Sequence, residues 1–130
     1  MTALTSSPGL AAYQESVTLE FPQLVGQLRA LLGAQLVAYL GGVRETRAVR
    51  QWAAGEREPS AAVVQRLRLA YQVAGLIAES RNSPAIIQAW FQGANPQLED
   101  RSPARVLREY PVDEVSPQVL SAARAFARVG

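Results

Sequence analysis

The sequence predicts an all-α protein with an N-terminal helix-turn-helix unit, a long connecting helix and a small helical C-terminal domain. Apolar residues recur at three- and four-residue spacing in each candidate segment, which is the period of a helix. Glycines separate the first three segments, as they commonly do at helix ends. Three Ser-Pro dipeptides lie further along the chain, and Ser can cap a helix whose first residue is Pro.

Residues 1–19 are small, polar and interrupted by proline, so we expect a flexible lead-in. The helix-turn-helix domain is predicted over residues 20–59. Leucines at positions 24, 28, 31 and 32 mark its first helix, Gly33 breaks that helix, and Gly41-Gly42 separates the second helix from the third. This order is typical of a helix-turn-helix, in which the second helix of the pair enters the major groove of DNA.

The third helix, within the segment Val43–Ser60, has a cationic side and an apolar side. Trp52 lies on the apolar side, where a buried indole would anchor the helix, and Gly55 supplies the left-handed residue that ends it. The cationic side and the following turn provide the predicted DNA-binding residues, which are Arg44, Arg47, Arg50, Gln51 and Arg57. Of these, Arg44 and Arg57 are expected on phosphates. The alternative is that the arginines are the solvated face of a core helix.

Net positive charge is concentrated in this part of the chain. Residues 44–68 carry six Arg against three Glu, whereas residues 1–43 carry one Arg against two Glu and residues 69–130 carry six charges of each sign. A local excess of this kind steers a polyanion to one face of a protein. Three acids dilute the excess, namely Glu45, Glu56 and Glu58.

The composition excludes the commonest catalytic chemistries. The chain has no His and no Cys, and all thirteen basic residues are Arg. A Ser-His-Asp triad, a thiolate nucleophile, a Cys/His zinc site and a Walker lysine therefore cannot be built. The adjacent acids Glu99-Asp100 and Asp113-Glu114 indicate solvent-exposed loops. We expect no enzymatic activity, no catalytic residue, no metal and no cofactor.

The sequence also bears on the compartment. It contains no run of eighteen apolar residues, and its first ten residues lack the charged start and apolar centre of a signal peptide. We therefore expect a cytoplasmic protein that has no membrane contact.

A long helix is predicted from Ala61 to about Ser80, with Ser60 as its cap. It has one apolar stripe formed by Val63, Leu67, Ala70, Ala74 and Ile77, and a second formed by Leu69, Val73 and Leu76. Because a surface helix needs only one stripe, this helix is expected to be buried on two sides. It is either a connecting helix over residues 60–80, between two units or in a subunit interface, or the central helix of a single core.

The C-terminal domain is predicted over residues 81–130. The three Ser-Pro pairs predict helices at about 84–92, 103–109 and 117–128, the first of them ended by Gly93. A turn-rich connector, 95–101, lies between the first two helices, and its Leu98 is expected to plug the small core. For the pair Trp90-Phe91 we favour a place in the core over contact with a partner.

Two groups of residues carry a family resemblance. In the N-terminal half they are Ala48 to Gly55, AVRQWAAG, followed by Pro59. In the C-terminal half they are Ala89-Trp90-Phe91, Asn95-Pro96-Gln97-Leu98 and Arg101 to Leu107, RSPARVL. With these motifs, residues 34–130 resemble the Xre/MbcA/ParS-like antitoxin family, in which an Xre-type helix-turn-helix precedes a C-terminal toxin-binding domain.

The resemblance implies a partner and a function. The partner would be a cognate RES-type toxin that consumes NAD, and the chain would neutralise it by direct binding. The helix-turn-helix would bind operator DNA and autoregulate the operon, and the chain would form a homodimer within a larger toxin–antitoxin complex. The toxin-binding residues implied in this way are Arg101, Arg105, Arg124, Arg128, Val129 and Gly130.

Two other functions fit the same sequence. One is a stand-alone dimeric transcription regulator whose C-terminal domain serves dimerisation or effector sensing. The other is a protein-binding inhibitor whose helix-turn-helix has lost DNA affinity, since Glu45 stands at the expected cap of the third helix, where it would repel a nearby phosphate.

Overall fold

The computed structural model describes residues 9–129, and within that range the protein is all-α, with eight α-helices and no strand. The predicted fold class is therefore confirmed. The helices are α1 (Leu10–Thr18), α2 (Phe21–Leu32), α3 (Ala34–Leu40), α4 (Thr46–Ala53), α5 (Ala61–Ser80), α6 (Pro84–Gln92), α7 (Pro103–Glu109) and α8 (Val112–Arg128). A short 3₁₀ turn, Pro96–Leu98, lies between α6 and α7. No helix in the described range is long and apolar enough to span a bilayer.

Helices α2, α3 and α4 form the helix-turn-helix unit and pack against one another. Gly33, with a φ of 86°, separates α2 from α3 without the steric cost that a side chain would carry there. Gly42, with a φ of 74°, reverses the chain after α3, and the Val43 N–H donates back to the Ala38 carbonyl (3.0 Å). The predicted order of helix, break, helix, glycine turn and helix is confirmed.

Helix α5 is the centre of the protein and packs against α1, α2, α3, α6, α7 and α8. Both of its apolar stripes are buried from Leu67 to Ile77. The buried apolar side chains of both halves form one continuous core, from Phe21 in α2 to Ala123 in α8. Of the two roles that the sequence left open, the structure within one chain is that of a central helix in a single core.

The serine caps were predicted well for three helices and wrongly for the fourth. The Ser60, Ser83 and Ser102 hydroxyls accept hydrogen bonds from the third residues of α5, α6 and α7, at 3.1–3.3 Å. The predicted start at Ser116-Pro117 is wrong, because α8 begins at Val112 and Pro117 lies inside it. The acids Asp113 and Glu114 occupy its first turn, where they complement the positive end of the helix dipole.

Helix α1 lies within the segment predicted as a flexible lead-in, and the sequence pattern does not predict it. Only Ala12 and Ser16 of this helix are buried. Ala12 meets Gly75 of α5, where a β-carbon on the glycine would lie 2.8 Å from the Ala12 β-carbon. The two helices therefore cross closely through small residues, while the larger apolar residues of α1 lie on its exposed side.

Polar contacts also hold α1 on α5. Arg68 donates from Nη1 to the carbonyls of Ser16 (3.0 Å) and Leu19 (2.9 Å), at the C-terminal end of α1. The buried Tyr71 hydroxyl donates to the Glu15 carboxylate (2.6 Å). Burial, together with this hydrogen bond and the negative charge of Glu15, raises the pKa of Tyr71 well above its usual range.

The C-terminal helices close the core around aromatic and aliphatic residues. Trp90 and Phe91 are buried and meet edge to face, with ring centroids 5.3 Å apart. Phe126 of α8 lies on the other side of Trp90, at 6.3 Å between centroids. Leu98, in the 3₁₀ turn, is 2% exposed. The predictions that Trp90 and Phe91 belong to the core and that Leu98 plugs it are confirmed.

Candidate nucleic-acid interface and partner surface

The candidate recognition helix is α4, which has eight residues and extends about 12 Å along its axis. The major groove of DNA is wide enough to admit an α-helix. Its buried residues are Ala48, Val49 and Trp52. Arg47 and Arg50 on the other side are exposed. The predicted division into a cationic side and an anchored side is confirmed.

Trp52 fixes the position of α4 on the core. Its side chain is 1% exposed, and its six-membered ring lies over Gly41, where a β-carbon would be only 2.6 Å from the ring. The chain reaches this close approach because Gly41 has no side chain. The indole Nε1 is buried and has no hydrogen-bond partner within residues 9–129. The indole therefore acts as an apolar anchor, as predicted.

Two open hollows flank α4, and together they contain every predicted DNA-binding residue. The α3-side hollow, of about 710 Å³, is lined by Gln35, Ala38, Tyr39, Val43, Arg44, Glu45, Thr46, Arg47, Arg50 and Arg108. The turn-side hollow, of about 370 Å³, is lined by Val43, Arg44, Glu45, Arg47, Ala48, Gln51 and Arg57. The structure thus brings the five predicted residues to one region, around the exposed side of α4.

Over residues 9–129, the arginines of this region form no ion pair with a carboxylate. The ion pairs found over residues 9–129 are Arg101–Glu99 and Arg105–Glu109, and neither lies on α4. Glu45 is exposed, precedes the first residue of α4 and makes no side-chain capping bond. Because Glu45 lines both hollows, it lowers the positive potential of each.

Gln51 and Arg57 lie together in the turn-side hollow. Arg57 approaches the Gln51 side-chain oxygen with Nη1 at 3.5 Å, a long contact. This contact would orient the Gln51 amide nitrogen, whose two hydrogens are donors, away from Arg57. Glutamine and arginine are residue types that recognise base edges in the major groove, and both also bind phosphates of the DNA backbone.

Two arginines that contribute to the charge of residues 44–68 have internal roles instead. Arg66 donates from Nη1 to the Leu40 carbonyl (2.9 Å) at the C-terminal end of α3, and Arg68 does the same at the end of α1. Both place a positive charge at the negative end of a helix. Burial, and to a lesser extent the positive charge of Arg108, lowers the pKa of Arg66. The sequence does not distinguish these arginines from the exposed ones.

The residues predicted to bind a toxin lie in two places on the C-terminal half. Arg101 lies in the connector: its Nε donates to the Leu98 carbonyl (3.1 Å), its Nη2 pairs with Glu99 (3.3 Å), and its guanidinium lies 5.0 Å from the Tyr110 ring centroid. Arg105 on α7 pairs with Glu109 one turn later (3.1 Å). Arg101 therefore supports the shape of the connector, and Arg105 is exposed.

The other predicted toxin-binding residues lie at the end of α8. Arg124, Arg128 and Val129 are exposed, and Gly130 lies outside the described residues. Arg81, which follows α5, stacks on Phe126 at 4.6 Å and donates to the Val129 carbonyl. The end of α8 is therefore held beside the end of α5.

A third hollow, of about 310 Å³, adjoins this region and was not predicted. It is lined by Gly9, Leu10, Tyr13, Gln72, Leu76, Leu120 and Arg124. Leu10, Tyr13 and Val17, at three- and four-residue spacing on α1, are 43–55% exposed. The helical spacing of these three residues is the sequence signal that could have indicated this surface. The signal alone is not sufficient, because the hollow forms only where α1 packs on α5. Within residues 9–129, no group of three potential metal ligands comes together.

Comparisons with known proteins give one structural likeness. The chain is similar to a chain in the crystal structure of the M. tuberculosis MbcT–MbcA toxin–antitoxin complex, with a TM-score of 0.62 and 25% sequence identity. The superposition covers 80% of this chain and 94% of that chain. No family model matches the sequence, and no curated protein matches it.

Proposed function

We propose that the protein is the antitoxin of a type II toxin–antitoxin pair of the Xre/MbcA/ParS-like kind. The observation that carries the proposal is the likeness to a chain of a toxin–antitoxin complex, over nearly the whole length of that chain. The partner would be a RES-type toxin that consumes NAD, neutralised by direct binding in the cytoplasm. The chain would act as a homodimer within a larger complex and have no catalytic role.

We assign DNA binding and toxin binding to different halves of the chain. The helix-turn-helix over residues 20–59 would bind operator DNA, with Arg47, Arg50 and Gln51 facing the major groove and Arg44 and Arg57 on phosphates. Support comes from the exposed arginines, which form no ion pair with any residue of 9–129 and lie beside a helix that Trp52 holds in place. Binding of this kind neutralises phosphates and therefore weakens steeply with salt.

The toxin would bind residues 81–130, linked to the helix-turn-helix by residues 60–80. Support comes from the exposed side chains that the C-terminal half offers, which are Arg105, Arg124, Arg128 and Val129. Arginine forms forked hydrogen bonds with carboxylates, so the three arginines suit an acidic partner surface.

The test is co-expression with a RES-type toxin from the same operon, scored by growth and by co-purification. Replacing Arg47 and Arg50 by Ala should abolish the gel shift of the operon's upstream DNA and leave growth rescue intact. Replacing Arg124 and Arg128 by Ala should weaken co-purification with the toxin and leave the gel shift intact. Arg29→Ala serves as the control, because it removes an exposed arginine that lines neither hollow of α4.

If one variant loses both functions while remaining folded, the two-surface proposal is wrong. Binding to DNA without any binding to the toxin would instead indicate a stand-alone transcription regulator.

A second candidate is a protein-binding inhibitor without DNA affinity, and the position of Glu45 favours it. This carboxylate lines both hollows and would lie near any phosphate bound there. A gel shift at low salt separates the candidates, since toxin neutralisation without any shift would support the inhibitor. Glu45→Gln should then restore part of the DNA binding.

A further inference from the structure

We propose that Arg108, in the C-terminal half, contacts a backbone phosphate of the same duplex DNA that α4 binds. The phosphate-binding surface would then extend beyond the helix-turn-helix onto α7. This inference rests on the proposed DNA function and names a residue that the helix-turn-helix motif does not contain.

The fold brings Arg108 to the helix-turn-helix because α7 packs against α3. Arg108 lines the α3-side hollow together with Arg44, Arg47 and Arg50. Although it lies more than fifty residues later in the chain, it therefore shares a surface with the candidate recognition helix.

Tyr39 of α3 holds the Arg108 guanidinium in this position. The centre of the guanidinium lies 4.5 Å from the Tyr39 ring centroid, which is the geometry of a cation–π contact. Tyr39 is half-buried and also lines the hollow. The N–H groups of a guanidinium point outward in its own plane. A guanidinium that lies over an aromatic ring can therefore still donate to a phosphate in forked geometry.

Charge distinguishes Arg108 from the neighbouring Arg105 on the same helix. Arg105 pairs with Glu109, whereas Arg108 is exposed and belongs to neither of the ion pairs found over residues 9–129. Burial and, to a lesser extent, the nearby charge of Arg108 lower the pKa of Arg66, so the two cations repel each other. A bound anion relieves this repulsion. Arg108 lies in the last turn of α7, where a positive charge complements the helix dipole. The dipole explains why the residue is basic, but it does not explain why the residue lies beside α4.

Duplex DNA fits this surface better than an acidic segment of a protein. Duplex DNA carries about one charge per 1.7 Å of its axis, so arginines on both sides of an open hollow can meet successive phosphates. Half or more of protein–DNA hydrogen bonds go to the backbone, where they fix the orientation of the recognition helix. Arg108 would supply such a contact, independent of base sequence.

The test measures binding of the full-length chain to two duplexes of about three helical turns, the operon's upstream DNA and a mixed-sequence duplex, over a range of salt. Arg108→Ala should weaken binding to both duplexes about fivefold to tenfold at low salt, and lower the slope of log affinity against log salt by about one. Arg29→Ala, which removes one exposed positive charge outside the hollow, should change neither quantity appreciably.

Variants of Tyr39 test the stacking. Tyr39→Leu leaves the charge of Arg108 in place but removes the ring, and it should lower affinity for both duplexes with an unchanged circular dichroism spectrum. Tyr39→Phe retains the ring and should bind as the unmodified protein does.

The outcomes separate this inference from the proposed function. If the unmodified protein shifts neither duplex at low salt, the DNA function and the inference fail together. If Arg47→Ala weakens binding and Arg108→Ala behaves like Arg29→Ala, only the inference fails. If Arg108→Ala leaves DNA binding intact and weakens toxin binding, the hollow is a protein-binding surface instead.

Discussion

At the scale of single residues, the contact between Gly41 and Trp52 helps to fix the position of α4 on the core. Gly41 has a right-handed helical conformation, with φ −78° and ψ −4°, so its backbone would accept any residue. What excludes a larger residue is the indole, which occupies the space of a β-carbon. Gly42 shows the opposite case, because its φ is 74° and no atom of residues 9–129 lies within 4 Å of the position of its missing β-carbon.

We therefore expect Gly41→Ala to destabilise the protein by about 1–3 kcal/mol through overpacking. In a Trp52→Phe background the smaller ring leaves room for the added methyl group, so Gly41→Ala should destabilise the protein less. Gly42→Ala should cost about 1–2 kcal/mol for its left-handed backbone, and equally in both backgrounds. Urea unfolding of the three single and two double variants measures the coupling. An equal cost of Gly41→Ala in both backgrounds would show that the indole is not the obstacle.

Single residues also show what the sequence could not reveal about the site. The positions of Arg47, Arg50 and Trp52 follow from helical periodicity, because all three lie on one short helix. The internal roles of Arg66 and Arg68 do not, since each depends on a carbonyl more than twenty residues away in the chain. Arg108 could not be predicted for the same reason, because the packing of α7 on α3 brings it to the hollow beside α4.

At the scale of elements, the sequence predicts helices whose ends are marked by local chemistry. Ser60, Ser83 and Ser102 each have a side chain that caps the helix following it, so three boundaries could be predicted to the residue. Helix α1 has no side-chain cap, its larger apolar residues are exposed, and it is held by its contacts with α5. It exists because of tertiary contacts, which a local pattern does not contain.

The wrong start predicted for α8 has a related cause. Ser116-Pro117 has the local chemistry of a helix start, but Val115 and Val119 are both buried on α8, four residues apart. These two buried valines, one before and one after Pro117, lie on one face of a helix only if the helix continues through the proline. The helix therefore includes a proline at its sixth position, where the proline has no N–H for the carbonyl of Asp113.

We expect Pro117→Ala to stabilise the protein by about 1 kcal/mol or more, because alanine restores that hydrogen bond and removes the clash of the ring with the preceding turn. The side chain at this position is exposed, so the substitution leaves no cavity. The measurement is the urea midpoint at constant m-value. Gln118→Ala, at the next exposed position, should change stability by less than about 0.5 kcal/mol. A lower midpoint for Pro117→Ala would mean that the stiffening of the unfolded chain by proline stabilises the protein more than the restored hydrogen bond of the alanine helix does.

At the scale of the whole molecule, the two halves share one core although we propose different functions for them. Helix α2 packs against α6, α3 packs against α7, and α5 contacts helices of both halves. The order of the helices was predictable, but their arrangement around α5 was not, because two apolar stripes fit a linker between domains as well as a central helix. A partner bound to the C-terminal helices would therefore act on the same folded unit that presents α4.

A shared core predicts that both halves unfold in one cooperative transition. Each half contains one buried tryptophan, Trp52 in α4 and Trp90 in α6, so Trp90→Phe leaves a reporter of the N-terminal half and Trp52→Phe a reporter of the C-terminal half. In each variant, the urea transition followed by fluorescence should coincide with that followed by far-ultraviolet circular dichroism, which reports all helices. The comparison is made within one variant, so any loss of stability caused by the substitution affects both probes equally. Fluorescence and circular dichroism midpoints that differ within a variant would mean that the helix-turn-helix and the C-terminal helices unfold as separate domains, despite the packing of α2 on α6 and of α3 on α7.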